Sequence, residues 1–541
     1  MEVRSGRALQ PGVALGPVYV QLPRRTGEEP STFQGEGEEL ARFEGARQRT
    51  LLQLDQLYRR TREQVGEEQA EVFHLHRLML EDGDYLDQVR QAVQGGEPAP
   101  GAVLAAGETF AAALEELADP YLQARAADVR EVSRAVWEQL QGERAPLKLD
   151  RPAILVAGDI APAQLIELGR EKLLGLVLRD TAPQSHAAIL ARAMAIPAVT
   201  GVGGDPAWQG REGALDGARG LFWLEPDGET RAALREEERR AGEEATRLAG
   251  LAALPSRTRD GREVAVCANI GSPEEAEEAV RLGAQGVGLF RTEFLFLGIE
   301  HPPTEEEQYA LYHRAVDAMG GRRLVIRTLD LGADKCPAWL PLPREENPAL
   351  GCRGIRVSRA NPKLFATQLR AILRAAAGGR VAVMFPMVTS VEEVRWAKEQ
   401  IEACRAALRR EGTAFGPLEV GVMIETPAAA LLTRELAREV DFFSLGTNDL
   451  TQYTLAMDRQ TGETAGGWDP LHPAVLELIG HTAEEGHRLG RRVALCGQLG
   501  ADLTATETLL RLGVDELSVP PAAVLPLREK IRGLDLSGPA E

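Results

Sequence analysis

Hydrophobic positions return along this chain in two rhythms, and the places where one gives way to the other mark its parts. From about Gly35 to about Gly142 apolar residues recur every three or four positions: Leu51, Leu54, Leu57 and Tyr58, then Val72, Phe73, Leu75, Leu78 and Met79, then Val129, Val132, Val136 and Leu140. That is the helix period. Breaks at Gly83, Gly95-Gly96 and Asp119-Pro120 predict a bundle of about four helices. On either side the pattern shortens. Residues 8–20 read as a loop and a strand, and from Pro152 short apolar runs alternate with helical ones. Ala153 to Ala157 and Leu173 to Leu178 are strands, Pro162 to Leu168 is a helix, and a second helix starts near His186. Ala198-Val199-Thr200 and a hairpin about Asp216-Gly217 follow. The strand near Val13–Val20 is expected to complete this α/β unit, which makes the bundle an insertion.

Arg231 to Leu254 is a charged, alanine-rich run whose charges alternate in sign, as in a solvated connecting helix. Beyond Thr258 eight candidate strands, at 263–269, 286–290, 324–328, 381–386, 419–424, 442–445, 492–496 and 515–519, alternate with helices. That pattern predicts a (β/α)₈ barrel. Ser272, Pro273 and Glu275 carry the start signals of one barrel helix, including a capping box. The expected fold is therefore multidomain α/β. Residues 1–25 and 143–225 form the α/β domain, 26–142 the inserted all-α bundle, 226–257 a linker helix and 258–541 the barrel.

Composition narrows the function. A net charge of −19 and a pI near 5.1 argue against nucleic acid and anionic membrane surfaces as partners. No run of about 18 apolar residues is present, so no membrane span is expected. Met1 to Gly6 has no apolar signal region. Cys267, Cys336, Cys352, Cys404 and Cys496 are scattered without a CxxC pair, which argues against a disulfide framework or zinc site and fits the cytoplasm. The acid is concentrated: residues 36–141 hold 21 Asp or Glu against 11 Arg and no Lys. Such a surface is either merely solvated or a docking face for a basic partner.

Active sites of such barrels lie beyond the carboxyl ends of the strands. Those ends here carry Arg291-Thr292-Glu293, Arg327-Thr328-Leu329-Asp330 followed by Asp334 and Lys335, Pro386-Met387, Glu425, Gly446-Thr447-Asn448-Asp449, and Cys496-Gly497-Gln498. Arg291, Arg327, Lys335 and Arg459 bring positive charge into an acidic protein, and arginine forks suit phosphate and carboxylate oxygens. Glu425 and Asp449 offer hard oxygens that suit Mg²⁺. The site should accept a small phosphorylated carboxylic acid with magnesium. Cys496 fits either a buried filler or a general acid. His186 stands where a helix begins, after Pro183 and the candidate N-cap Ser185. There it either packs and caps, or carries a phosphoryl group facing free N–H groups and the positive end of the helix dipole.

Gly288-Leu289-Phe290-Arg291-Thr292-Glu293-Phe294-Leu295, Arg327-Thr328-Leu329-Asp330, Gly446-Thr447-Asn448-Asp449-Leu450-Thr451-Gln452-Tyr453 and Ser185-His186 together resemble the Enzyme I family of the bacterial phosphoenolpyruvate:sugar phosphotransferase system. The likeness extends into the bundle at Asp119-Pro120-Tyr121-Leu122 and Arg125-Ala126-Ala127-Asp128-Val129-Arg130, and it spans the chain in family order. It implies that His186 takes the phosphoryl group of phosphoenolpyruvate and passes it to the phosphocarrier HPr, releasing pyruvate, as the first step of sugar uptake. It implies that Arg291, Arg327, Lys335, Arg353 (in Gly351-Cys352-Arg353), Asn448 and Arg459 bind substrate. Glu425 and Asp449 match the family's magnesium ligands, and Cys496 the proton donor to enolpyruvate. The family is homodimeric through the barrel, and the bundle corresponds to its HPr-docking domain. Gln184 and Gln498 stand where the family has threonine and glutamate. Two other readings are a phosphoenolpyruvate-binding regulator with altered catalysis and a pyruvate-phosphorylating relative lacking its ATP-grasp domain.

Overall fold

The computed structural model describes the chain except residues 22–32, 65–66, 117–119, 142–148, 159, 161, 180–185, 298–300, 333–336, 338, 341, 343–344, 346, 459–466 and 539–541. It divides into two compact units, Met1–Glu243 and Glu244–Glu541.

The first unit contains one eight-stranded sheet in the order β1-β8-β7-β3-β4-β5-β6-β2. Its strands are β1 (Glu2–Ser5), β2 (Arg7–Gln10), β3 (Val13–Gln21), β4 (Ala153–Ala157), β5 (Leu173–Leu178), β6 (Ala198–Thr200), β7 (Glu212–Asp216) and β8 (Leu221–Leu224). Strands β3 to β6 run parallel, and the outer pairings are antiparallel. The period-two rule of strands sorts the side chains. Leu155, Leu176 and Leu178 pack with Leu165, Ala188 and Leu190 on one face. Ile154, Val156 and Val177 pack with Trp208 and Phe222 on the other. Strands β1 and β2 are additional to the sequence reading, which placed one strand near Val13–Val20; few of their residues are buried, so no apolar pattern announces them.

Between β3 and β4 the chain forms α1 (Glu36–Gln64), α2 (Glu67–Glu81), α3 (Gly83–Gln94), α4 (Ala99–Glu115) and α5 (Pro120–Leu140). This is one helix more than expected, because the first long run ends at Gln64 and resumes at Glu67. Leu54, Leu57, Val72, Phe73, Val132 and Val136 form the core as their spacing predicts, but Leu78 is exposed and Leu80 is buried instead. The buried face of α2 centres on His76, one turn beyond Val72 and one before Leu80. Its Nε2 lies 3.6 Å from Asp128 Oδ1, with both side chains buried.

After α6 (Pro162–Lys172) the described residues resume with α7 (His186–Ala193). Pro183, Gln184 and Ser185 lie outside the described residues, as does the side chain of His186. Then α8 (Gly228–Ala249) runs out of the unit. The predicted helical run to Leu254 stops earlier, and residues 250–254 continue as turns.

The second unit is a closed barrel of eight parallel strands: β9 (Ala265–Ile270), β10 (Gly286–Phe290), β11 (Arg323–Arg327), β12 (Val381–Phe385), β13 (Glu419–Ile424), β14 (Phe442–Leu445), β15 (Arg492–Leu495) and β16 (Glu516–Val519). Residues such as Val266, Val383, Val422 and Phe443 face the surrounding helices. Leu289, Val325, Met384, Met423, Phe442 and Cys496 fill the interior. Ser272 caps the helix Pro273–Arg281 by accepting the N–H of Glu275, while Glu275 reaches back to the N–H of Gly271 rather than to that of Ser272. The amino-terminal end of the barrel carries a simple ion pair. Arg323 Nε is 2.9 Å from Glu419 Oε2, and its guanidinium lies 4.2 Å from the centre of the Phe442 ring. Nearby, burial and the Glu516 carboxylate push the Cys267 thiol well above its ordinary range. No helix of the described residues is long and apolar enough to cross a membrane.

Candidate active site at the carboxyl end of the barrel

Four residues downstream of Arg323 on the same strand, Arg327 enters a different setting. Arg327 Nη2 is 2.9 Å from Glu293 Oε1, and Nη1 is 3.0 Å from Asp330 Oδ2. Asp330 in turn accepts from Arg353, at 3.0 Å to Oδ1 and 3.1 Å to Oδ2. The other side of the Arg353 fork reaches Asp449, with Nη1 2.8 Å from Oδ1 and Nη2 3.2 Å from Oδ2. Glu293, Arg327, Asp330, Arg353 and Asp449 thus form one chain of alternating charge across strands that are far apart in sequence. Such forks fix geometry as well as charge.

Glu425, directly after β13, is buried beside this chain. Its Oε1 accepts the N–H of Met387 at 2.6 Å. Met387 adopts a left-handed backbone, φ 58°, which is strained for a residue with a side chain and is characteristic of functional sites. Gly354, next to Arg353, makes room for it: its own φ is +60°, and a Cβ there would lie 2.8 Å from the Cβ of Met387.

The described carboxyls of this pocket act on one another. Burial, then Asp330 and Asp449, raise the Glu425 carboxyl to about 8, although Arg327 and Arg353 pull the other way. Burial opposes the charge of both arginines, but Asp330 and Asp449 around Arg353, and Glu293, Asp330 and Glu425 around Arg327, outweigh it and hold both above their ordinary range. Among the described side chains, three carboxylates, Glu293, Asp330 and Asp449, pair directly with the two guanidiniums, and the Glu425 carboxyl feels both at longer range. Asp449 lies in the first turn of the helix Thr447–Leu455, where the helix dipole also favours a negative charge.

A second layer locks these groups in place. Gln368 is buried on the helix Pro362–Ala375. It accepts the N–H of Leu329 at 3.0 Å and donates to the hydroxyls of Thr292 and Tyr312, each at 3.2 Å. Thr292 donates to the carbonyl of Arg327 at 2.9 Å. A fully connected buried network of this kind fixes the ends of β10 and β11 together. Glu345 accepts the N–H of Cys352, and Tyr453 donates to the carbonyl of Ala349, which holds the loop that delivers Arg353.

Cys496 follows β15. It is buried among Met384, Met423 and Phe442. Burial pushes its thiol up to about 11, so it stays protonated at neutral pH, and it donates to the Leu445 carbonyl at 3.7 Å. Asn269 donates to the Cys496 carbonyl at 2.9 Å. Asn448 accepts the N–H of Gln498 at 3.2 Å.

The structure therefore brings together Arg327, Arg353, Glu425, Asp449 and Cys496, with Asn448 adjoining. Arg291 stands apart from the ion chain: it is exposed and stacks 5.5 Å from the Phe294 ring centre. Lys335 and Arg459 lie outside the described residues, as does Asp334. Sequence reasoning gave no role to Asp330, Glu293, Gln368 or Asn269. The first two stood at strand ends; Gln368 and Asn269 had no local signal.

Comparison with known proteins follows the same division. Residues 245–536 match the family model described as "PEP-utilising enzyme, PEP-binding domain". Residues 5–125 match "PEP-utilising enzyme, N-terminal", and residues 149–220 "PEP-utilising enzyme, mobile domain". A phosphoenolpyruvate-protein phosphotransferase of Haemophilus influenzae is 39% identical over 98% of this chain and 94% of its own length. Those of Staphylococcus carnosus and Geobacillus stearothermophilus are 35% and 36% identical, each over 98% of this chain, and over 94% and 93% of their own lengths.

Proposed function

The chain belongs to the phosphoenolpyruvate-utilising enzymes, and we propose that it moves the phosphoryl group of phosphoenolpyruvate first to its own His186 and then to a separate phosphocarrier protein, HPr. It is a phosphotransferase, and pyruvate is the second product. The observation that carries the site assignment is the ion chain from Glu293 to Asp449 beside Glu425. Two preorganised guanidiniums suit the phosphoryl and carboxylate oxygens of the substrate, and electrostatic stabilisation is the main work of phosphoryl transfer.

Buried, hard carboxylate oxygens fit a divalent cation. Glu425 and Asp449 would hold Mg²⁺, which would supply charge neutralisation at the phosphoryl oxygens. Arg327 and Arg353 orient the substrate, Arg291, Lys335, Arg459 and Asn448 complete its binding, and neutral His186 is the nucleophile. Cys496 is the proton source for the departing enolpyruvate. Its raised pKa supports that role, because a thiol must keep its proton in order to give it.

The acidic helices α1 to α5 serve as the docking face for HPr. A cytoplasmic location and a homodimer formed through the barrel belong to the same proposal; light scattering tests the dimer. The alternatives, a regulator with altered catalysis and a pyruvate-phosphorylating relative, gain no support from the comparisons.

The test is incubation with phosphoenolpyruvate carrying radioactive phosphorus, with Mg²⁺, scoring acid-labile label on the protein. Wild type should take label and lose it to HPr. His186→Ala should take none yet still bind phosphoenolpyruvate; label at the wild-type level in that variant moves the carrier elsewhere. HPr association should slow as salt rises. A flat salt profile would leave the bundle charge with no docking role.

A further inference from the structure

Arg528 is the largest fully buried side chain of the described residues. It lies on the helix Val524–Gly533, and among the described residues no carboxylate pairs with it. Burial and neighbouring Arg532 pull its pKa down, so the site is costly for a cation. Its partners are main-chain carbonyls. Nη1 donates to Leu251 at 3.0 Å, to Leu254 at 3.1 Å and to Ala252; Nη2 donates to Gly283.

Three of these carbonyls, those of Leu251, Ala252 and Leu254, belong to the stretch just past α8. The last carbonyls of a helix lack intrahelical partners and carry the negative end of its dipole. The turns after Ala249 continue that direction, with Leu251 N–H bonded to Leu248 and Ala252 N–H to Ala249. Two neighbours of Arg528 on the same helix extend the grip. Glu529 accepts from Arg247 at 2.8 Å, and Arg532 donates to the Pro255 carbonyl at 2.7 Å. Positions 528 and 532 are one helical turn apart and share a face. On the other side Gly283, φ +80°, lies so close that a Cβ would be 2.4 Å from the Ala252 carbonyl oxygen.

We propose that this clamp is a positioning device for the phosphoryl relay: Arg528, with Glu529, Arg532 and Gly283, seats residues 247–255 on the barrel, so that the chain bearing His186 departs from a fixed point and bends only before Arg247. The inference rests on the reading of His186 as carrier. The boundary between the compact units falls inside α8, between Glu243 and Glu244, just before the clamped stretch. A seated tether keeps the effective concentration of a carried group high; freeing about ten residues of it would lower that concentration.

The test uses the full chain and two separate variants, Arg528→Gln and Gly283→Ala. Four readings are taken: single-turnover labelling of His186 from phosphoenolpyruvate, the Kd for phosphoenolpyruvate, labelling of His186 from phosphorylated HPr, and proteolytic cutting within 247–257. Labelling from phosphoenolpyruvate should fall at least about tenfold in both variants. Cutting should rise, while the Kd and labelling from phosphorylated HPr should stay within about twofold of wild type, since neither needs the tether. Unchanged labelling from phosphoenolpyruvate with increased cutting would overturn the clamp's role. A parallel loss of substrate affinity would overturn it too, by making Arg528 an ordinary stabiliser of the barrel. A wild-type chain that takes no label at all would instead defeat the carrier reading, so the two failures are distinct.

Discussion

The two ends of the barrel use the same side-chain types to opposite effect. At the amino-terminal end Arg323 meets one carboxylate, Glu419, which is partly open to solvent, and stacks on Phe442. Its charge is matched and its cost is low. At the carboxyl end, on the same strand β11, Arg327 joins a buried chain in which, among the described residues, carboxylates outnumber guanidiniums. The cysteines repeat the contrast: Cys267 faces the carboxylate of Glu516, whereas Cys496 lies near Arg327 and Glu425 at the site. A structural ion pair closes on itself. At the carboxyl end each described charge has several charged neighbours, a crowding that is common at functional sites.

The largest test of this contrast is Asp449→Asn. Phosphorylation of His186 should fall by about 10²–10³-fold, because a charge aimed at the reacting centre is lost. The barrel should keep its Tm within a few degrees, since Arg353 retains Asp330. Equal loss of activity and stability would put Asp449 among the structural pairs.

Cys496→Ala comes next. Labelling of His186 from phosphoenolpyruvate should survive in part, because enolpyruvate can tautomerise after release. The reverse reaction from pyruvate should fall at least about 100-fold, because pyruvate must be enolised first. Phosphorylation of pyruvate at the wild-type rate would exclude the thiol as the acid.

Glu425→Gln separates stability from function. The native carboxyl titrates at about 8, above its ordinary value, so its contribution to stability is complete below that ordinary value and is lost as pH rises through about 8. With chelator present, the variant's Tm should match wild type near pH 5 and exceed it by a few degrees near pH 9, while activity is lost at both. A variant that is less stable at pH 9 would show that the buried charge is already neutralised within the protein.

The smallest effect is expected from Glu419→Gln at the other end. A half-exposed pair contributes at most ~1 kcal/mol, and labelling should stay within about twofold of wild type. A large loss of activity here would break the contrast between the two ends.

Much of this was legible before any coordinates. The eight barrel strands fall within a residue or two of their apolar runs, because each is buried on both faces and reads as a continuous apolar segment. Glu425, Asp449, Arg327 and Cys496 were visible as polar residues at the ends of such segments. Arg353 was not; it sits in a loop, and only the family motif pointed to it. The bridging role of Asp330 and the left-handed backbone of Met387 had no sequence signal either, since each depends on residues tens of positions away.

The sequence by itself determined the order of the parts, the helix and strand periods, the acidic bundle and the strand ends where chemistry gathers, because these follow from the local alternation of apolar and polar residues. Tertiary structure decided which charges pair and how many meet in one place. Arg353 and Asp449 are 96 residues apart, and so are Arg323 and Glu419. One pair belongs to a site and the other closes on itself. The difference lies in burial and in the number of neighbouring carboxylates, which closing the barrel brings together.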